Sequence, residues 1–255
     1  MRVAILGCGP AGLIAAYAAE EAGHRVVVYS TKRKSTIFGA QYLHEPILGI
    51  SDPNAEMEIN ITKIGTREGY AENVYGNRDA PVSWDKFHNG WDAGWDLKKV
   101  YENLWHRFEP RIVDVVISKR TVEHIMAMFD RTFSTIPIKM LCDVWGHSFT
   151  SASIWVVHGP ARGENMMVYN GLAPNGIPSW YRYSLINNYQ SWEYAERHTP
   201  QPQWVASNLT VSEGIKPLHT DCDCHPEIVR FGRFGRWNKN VFTHHSYQEV
   251  LDALQ

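Results

Sequence analysis

The stretch Val3-Ala4-Ile5-Leu6-Gly7-Cys8-Gly9-Pro10-Ala11-Gly12-Leu13-Ile14 decides how this chain is read. A short apolar run suits a strand buried on both faces, and it passes without a polar break into Gly-x-Gly-x-x-Gly. From Pro10 to Ala22 the apolar positions Leu13, Ile14, Ala16, Tyr17 and Ala18 recur at helical spacing, Glu20 and Glu21 face water, and Gly23 stops the helix. Val26-Val27-Val28-Tyr29 is a second β-branched run. Strand, glycine turn, helix and strand make a βαβ unit, whose two strands run parallel with a right-handed crossover.

Each glycine of the turn has a geometric reason. Gly7 permits the tight turn, Gly9 admits a diphosphate close to the backbone, and Gly12 lets helix and strand pack closely. Free N–H groups and the helix dipole then favour an anion at this end, which makes Gly7, Gly9, Pro10, Ala11 and Gly12 candidate nucleotide-binding residues. An acidic residue is expected about 20 residues on, to bond an adenosine ribose. The chain offers Ser30-Thr31-Lys32-Arg33-Lys34 instead. Either Ser30 and Thr31 bond the ribose with Lys32 or Arg33 nearby, or the basic cluster selects the 2′-phosphate of NADP. A solvated charge run is the plainer alternative.

Composition narrows the class. The 255 residues suffice for one large domain or two modest ones, and 44% apolar with 20% charged residues describes an ordinary globular protein. Lys+Arg 25 against Asp+Glu 27 leaves a net charge of −2, so no global field exists to grip nucleic acid. No window supplies the ~18–20 apolar residues of a membrane span, and glycines cut the first apolar run too short for a signal peptide, so a cytoplasmic protein is expected. Four cysteines, Cys8, Cys142, Cys222 and Cys224, are too few for a disulfide framework. The aromatic residues (Trp 10, Tyr 12, Phe 9) serve packing or wall a pocket for a flat ligand.

Farther along, residues 51–94 read as short strands and turns without a long helix. Leu97, Val100, Tyr101, Leu104, Trp105 and Phe108 mark a helix after Asp96 that ends before Pro110. Ile112–Ile117 and Arg131–Ile136 read as strands, and Val122–Met128 as a helix or strand. Ile154–His158, Asn165–Asn170 and Trp180–Asn187 suggest a small antiparallel sheet. The end repeats the opening grammar: a strand at Ile228–Phe231, a glycine turn at Gly232–Gly235, and a helix from Ser246 to Leu254, with Ser246 and Glu249 at capping-box spacing.

Four of these segments together resemble the amine oxidase, protoporphyrinogen oxidase and UDP-galactopyranose mutase clan of FAD-binding proteins. They are Val3–Tyr29, the Phe129–Pro137 segment with Ser134-Thr135-Ile136-Pro137, Met167–Leu185 with Trp180-Tyr181-Arg182, and Phe231–Trp237. Phe38–His44 lies where that clan has a Gly-rich loop and a His-bearing strand beside the flavin ring. The chain also resembles short flavoprotein-like chains that actinobacterial phages encode. The resemblance implies an α/β fold: a Rossmann-like FAD/NAD(P)-binding domain with a parallel sheet, from residues 1–50, 129–142 and 226–255. A small mixed or antiparallel substrate domain, residues 51–128 and 143–225, is inserted in it. It implies FAD as cofactor, with NADP as the alternative, and a small-molecule substrate. Further cofactor contacts would come from Gly39, Ala40, Gln41, Thr135, Pro137, Gly232, Arg233, Trp237 and Ser246. His44 would face the ring as acid, base or positioning group, and Arg182 would anchor an anionic substrate group; a structural histidine and a surface arginine are the alternatives. The chain departs from the clan in its missing acidic residue, its shortness, and its few arginines in the substrate region, Arg162 and Arg182, so mutase activity is not carried over. A redox enzyme, an NADP-dependent reductase, a non-redox flavoenzyme and a non-catalytic nucleotide-binding scaffold all remain open.

Weaker constellations complete the reading. His219-x-x-Cys222-x-Cys224-His225 gathers possible metal ligands, but Cys-x-Cys departs from the usual knuckle spacing and no second knuckle follows, so no metal is expected. Cys8 sits in the phosphate turn, where packing outweighs redox chemistry, and His244-His245 could reach the flavin or cap a turn.

Overall fold

A computed structural model describes residues 1–31, 37, 41–51, 56–172, 179–200 and 205–255. Lys32, Arg33, Gly39 and Ala40 of the expected site lie outside these residues.

The opening unit folds as its residues dictate. Strand β1 (Arg2–Leu6) leads through Gly7 into helix α1 (Pro10–Glu21), and β2 (Arg25–Ser30) returns parallel to β1, with Val3 opposite Val26 and Leu6 opposite Tyr29. Strand β7 (Arg131–Ser134) lies parallel on the other side of β1, and β13 (Ile228–Arg230) lies parallel to β7. Strand β6 (Ile112–Asp114) adds to the free edge of β2, giving the five-stranded order β13-β7-β1-β2-β6. Both faces of β1 are covered, which is why its apolar residues run without alternation. Val3 and Ile5 pack with α1, α3 (Leu97–Phe108) and α6 (His245–Ala253), whereas Ala4 and Leu6 pack with α4 (Lys119–Met128) and Trp237. Thus α3 and β6, from the region expected to form the insertion, build onto the five-stranded parallel sheet.

The second sheet is the larger of the two rather than a small one, with eight strands in the order β12-β8-β11-β10-β9-β4-β5-β3. Its members are β3 (Tyr42–Leu43), β4 (Glu56–Gly65), β5 (Gly90–Asp96), β8 (Phe149–Pro160), β9 (Met166–Gly171), β10 (Trp180–Ile186), β11 (Tyr189–Ala195) and β12 (Thr210–Thr220). All pairings are antiparallel except β4 with β9, so the sheet is mixed. Chain crosses from β7 to β8 and back from β12 to β13, which ties the two sheets together twice.

Three elements escaped the sequence reading. Helix α2 (Arg67–Tyr75) starts at Thr66, whose side chain accepts from Gly69 N, and ends at Gly76 in the left-handed region. Its apolar period is broken at Gly69, where a Cβ would lie 1.9 Å from the Gly171 carbonyl oxygen; the helix packs there through bare backbone. Strand β11 forms a hairpin with β10 through Asn187-Asn188, both at positive φ, the signature of a two-residue primed turn. Strand β12 is an edge strand with a register shift at Pro217, features that erase the usual strand pattern. At the C-terminus the Gly232–Gly235 turn is one turn of helix, α5, and α6 starts a residue early with His244 as its N-cap. Ser246 is therefore inside the first turn, fully buried, and the expected capping box does not form. Among the described residues no helix is long and apolar enough to cross a membrane.

Candidate functional site

Renumbered from β1 outward, the strand order of the parallel sheet reverses between β1 and β7, which opens a crevice at the carboxyl ends of these two strands. Three strand ends converge there on the start of α1. Gly7, at φ +102°, ends β1; Thr135 follows β7 and its backbone N–H donates to Leu6 O at 2.9 Å, with its hydroxyl 3.2 Å from the same oxygen; Gly232 follows β13 at φ +65°. Cβ atoms added here would meet protein. At Gly7 one would lie 2.6 Å from Thr135 Oγ1, at Gly12 2.0 Å from Gly7 O, and at Gly232 2.9 Å from Ala11 Cβ. At Gly9 no described residue lies within 4 Å. Among the described residues the turn is closed at Gly7, Gly12 and Gly232 and open at Gly9. Helix α1 begins there with no side-chain cap and Pro10 in its first turn, so the dipole end has no carboxylate or hydroxyl of its own. This cradle suits a diphosphate.

Other expected contacts distribute unevenly. Ser30 ends β2 next to the cradle, with Thr31 exposed beyond it. Asp114, the last residue of β6, is the register partner of Ser30, and so supplies an acid at the neighbouring strand end where the motif lacks one. Pro137 starts a short 3-10 turn after Thr135. Gln41 is buried and spends its side-chain amide on Ile37 O at 2.9 Å. Trp237 is 1% exposed and donates its indole N–H to Thr150 O, so its ring belongs to the core beneath the cradle. Cys8 is likewise buried, and its carbonyl accepts from the Tyr101 hydroxyl.

A second constellation lies on the large sheet. Arg182 on β10 and Glu193 on β11 are direct cross-strand partners, and Lys216 on β12 reaches the same carboxylate. Arg182 Nη2 donates to Glu193 Oε1; Lys216 Nζ donates to Glu193 Oε2 and, at 2.7 Å, to Tyr181 Oη. Burial opposes ionisation of Glu193, but the Arg182 and Lys216 cations outweigh it and hold the carboxyl well below the usual range. Burial lowers the Lys216 pKa to about 8; Glu193 pulls it up and Arg182 pushes it further down. Arg233, half-buried on α5, feels both Arg182 and Glu193, so three cations share one carboxylate and the cluster is net positive. Arg182 Nε is buried without a hydrogen-bond partner among the described residues. Sequence reading selected Arg182 and Arg233; it missed Glu193 and Lys216, which lie on the two strands it also missed, β11 and β12.

His44 lies just past β3, within electrostatic reach of the second constellation. Its ring lies 4.5 Å from Tyr42, 5.1 Å from Phe242 and 6.0 Å from His244, and Arg182 is close enough to act on it electrostatically. Desolvation keeps its pKa below the ordinary histidine value, with Asp92 opposing. His244 is buried, and desolvation, helped by the neighbouring His245, lowers its pKa to about 4 against the opposing pull of Glu45. The lowered pKa thus favours a neutral His244 at the start of α6. By contrast, Arg162 lines a separate open depression of 480 Å³ with Pro160, Ala161, Asn188 and Asn208, away from these residues.

No family model matches the sequence, and no curated protein matches it. Solved structures do. The tryptophan 5-halogenase MibH superposes with a TM-score of 0.60 over 100% of this chain and 66% of its own, at 12% identity. The tryptophan 6-halogenase SttH from Streptomyces toxytricini gives 0.58 over 98% of this chain and 71% of its own, at 9% identity. A protein described as an FAD containing monooxygenase from Photorhabdus luminescens gives 0.52 over 98% and 86%, at 12% identity. The chain spans less than two thirds of the peptidyl tryptophan dihydroxylase QhpG, MibH and the rebeccamycin enzyme RebC. At these identities the likeness is one of fold.

Proposed function

We propose that this chain is an FAD-dependent oxidoreductase acting on a small molecule, with the diphosphate of FAD on the Gly7–Gly12 turn. One observation carries the reading: a glycine cradle closed by three strand ends and, among the described residues, open at Gly9, at the switch point of a fold shared with flavin enzymes. When bound, FAD supplies hydride and electron transfer. The chain's own residues would bind and orient. Backbone N–H groups at the start of α1 would hold the diphosphate, and Ser30 and Asp114, register partners at neighbouring strand ends, would offer acceptors to the ribose. Arg233 and the backbone of Gly232–Gly235 would supply further donors to the cofactor. Arg182, anchored by Glu193, presents a cation toward His44 and Tyr42, a setting for an anionic or electron-rich substrate group. His44, kept neutral, can accept or donate one proton at its ring nitrogens.

In this reading residues 1–50, 129–142 and 226–255 form the FAD-binding part, together with α3 and β6, which pack with them. The finer affinity to the oxidase and mutase clan rests on the four sequence segments Val3–Tyr29, Phe129–Pro137, Met167–Leu185 and Phe231–Trp237. The test is direct. Protein purified under native conditions should be yellow, and the small molecule released by denaturation should have the mass and absorbance of FAD. A colourless protein that takes up no FAD on reconstitution overturns the proposal; release of NADP instead would move the cofactor assignment to Lys32 and Arg33.

A further inference from the structure

Three cysteines and a histidine, distant in sequence, meet where the two sheets are joined. Cys142 and His147 lie on the crossover from β7 to β8, and Cys222 and Cys224 on the return from β12 to β13. Their four ligand atoms all lie within 4.8 Å of one another. Cys142 Sγ is 3.2 Å from His147 Nδ1 and 3.8 Å from Cys224 Sγ; Cys224 Sγ is 3.5 Å from the same ring nitrogen. All four cysteines of the chain are free thiols. Zn–S bonds of about 2.3 Å and Zn–N bonds of about 2.0 Å in a tetrahedron put sulfurs about 3.8 Å apart and sulfur about 3.5 Å from nitrogen. The Cys142–Cys224 and Cys224–His147 separations equal those values, the Cys142–His147 contact is about 0.3 Å shorter, and the 3.8 Å between sulfurs is far longer than an S–S bond of about 2.05 Å.

We propose that Cys142, His147, Cys222 and Cys224 form a structural Zn²⁺ site that clips the two crossovers together. Four protein ligands of the Cys₃His type close the coordination sphere, which is the mark of a structural rather than a catalytic zinc. The surroundings are built as such a site requires. His147 offers Nδ1 to the cluster, while its other nitrogen, Nε2, lies 3.8 Å from Asp223 Oδ1, an outer carboxylate of the kind that orients metal-bound histidines. Hydrogen bonds lash the same two segments of chain: Ser148 N–H donates to Asp221 and the Thr220 hydroxyl to Ser148 O, while Arg230 Nη1 donates to Cys222 O within the returning segment. Cys222 is buried, and the other three ligands are half-buried, so an ion can enter from solvent; the thiol protons leave to water as it binds. The expectation of no metal rested on Cys-x-Cys taken with His219 and His225. The fold replaces those histidines with Cys142 and His147, and His225 turns to Glu227 and Leu141 O instead. Because β13 leads straight into Gly232, the clip fixes the strand that closes the glycine cradle.

Elemental analysis of the whole protein, purified with a thiol reductant and without chelator, should find about one zinc per chain. Protein stripped of metal and given Co²⁺ should develop the strong red-region absorption of tetrahedral cobalt, clear of any flavin band, together with near-ultraviolet thiolate charge transfer. Cys224→Ser should lose the cobalt spectrum or weaken it at least tenfold in Co²⁺ affinity, and His219→Ala should leave it unchanged. The cobalt measurement on unmutated protein stands even if the Cys224 variant does not fold. Absence of both zinc and a tetrahedral cobalt spectrum, iron in place of zinc, or a disulfide within the cluster found by mass spectrometry of reductant-purified protein would each overturn the proposal.

Discussion

The Cβ that Gly12 lacks would lie 2.0 Å from the carbonyl oxygen of Gly7, so the helix after the turn is pressed onto the strand before it with no room for a side chain. Gly9, between them, has no described residue within 4 Å of the same added atom. In the proposed function the two glycines therefore answer to different demands, Gly12 to folding and Gly9 to the ligand.

Substitution should separate those demands. Gly12→Val must displace backbone and should cost at least about 3 kcal/mol, or prevent folding. Gly9→Asp should leave stability within about 1 kcal/mol, since Asp is a good N-cap for α1. Its carboxylate would occupy the anion position itself, and FAD affinity should drop at least about a hundredfold. Thermal or urea melting beside flavin titration reads both. A Gly9→Asp variant that binds FAD normally would remove the diphosphate from this turn.

The buried triad predicts an asymmetric response. Glu193→Gln leaves Arg182 and Lys216 facing each other without their shared carboxylate, and should cost about 3–5 kcal/mol in urea unfolding. Lys216→Met keeps the Arg182–Glu193 pair and fills the same volume, so it should cost much less, within about 1.5 kcal/mol. Equal losses from the two substitutions would contradict a carboxylate that balances two cations.

The opening βαβ unit and the final strand and helix were readable because each residue there has one dominant local reason: unbroken apolar runs, a glycine that must bend, a helical period. Asp96 even announces its helix by accepting from Lys98 N and Lys99 N. Elements fixed by tertiary contact were not readable. Gly69 of α2 is chosen by the backbone of Gly171, and Pro217 of β12 by an edge that needs no donor, so local pattern points away from both. Site residues divide in the same way. Gly7, Gly12, Thr135 and Gly232 meet because strand order brings three motifs to one crevice. Glu193, Lys216 and the Cys142–His147 pair acquire meaning only from strand register or crossover geometry, which spacing along the chain does not encode.

His244 makes stability depend on acidity. Its folded pKa, about 4, lies below the ordinary value near 6.5, so between these values the unfolded chain binds the proton and the folded chain does not. Stability therefore rises with pH through that window and is lost as pH falls; one such group removes about 2 kcal/mol between pH 7 and pH 5. His44, shifted in the same direction, adds to the slope. Urea melts at both pH values should show this loss in the unmutated protein and a loss smaller by about that amount in His244→Gln. An unchanged difference between the two pH values would mean that this imidazole titrates freely.

Arg233 offers the sharpest measure of the closing segment. It follows Gly232, whose missing Cβ would press on Ala11 at 2.9 Å, and so it stands at the lip of the cradle on a backbone that has little freedom. Its neighbours include Arg182, and burial together with that like charge outweighs the pull of Glu193, so the free protein holds an under-compensated cation there. An anionic ligand relieves this, so Arg233→Met should raise the thermal stability of the empty protein slightly while weakening FAD by about ten- to a hundredfold, the worth of one charge-assisted hydrogen bond. The loss should shrink as salt is added, because part of it is screened attraction at a half-open site. Binding isotherms at low and high ionic strength, with melting curves of cofactor-free protein, test both halves. A variant that binds FAD as tightly as the parent would show that this guanidinium serves only the cluster beneath it.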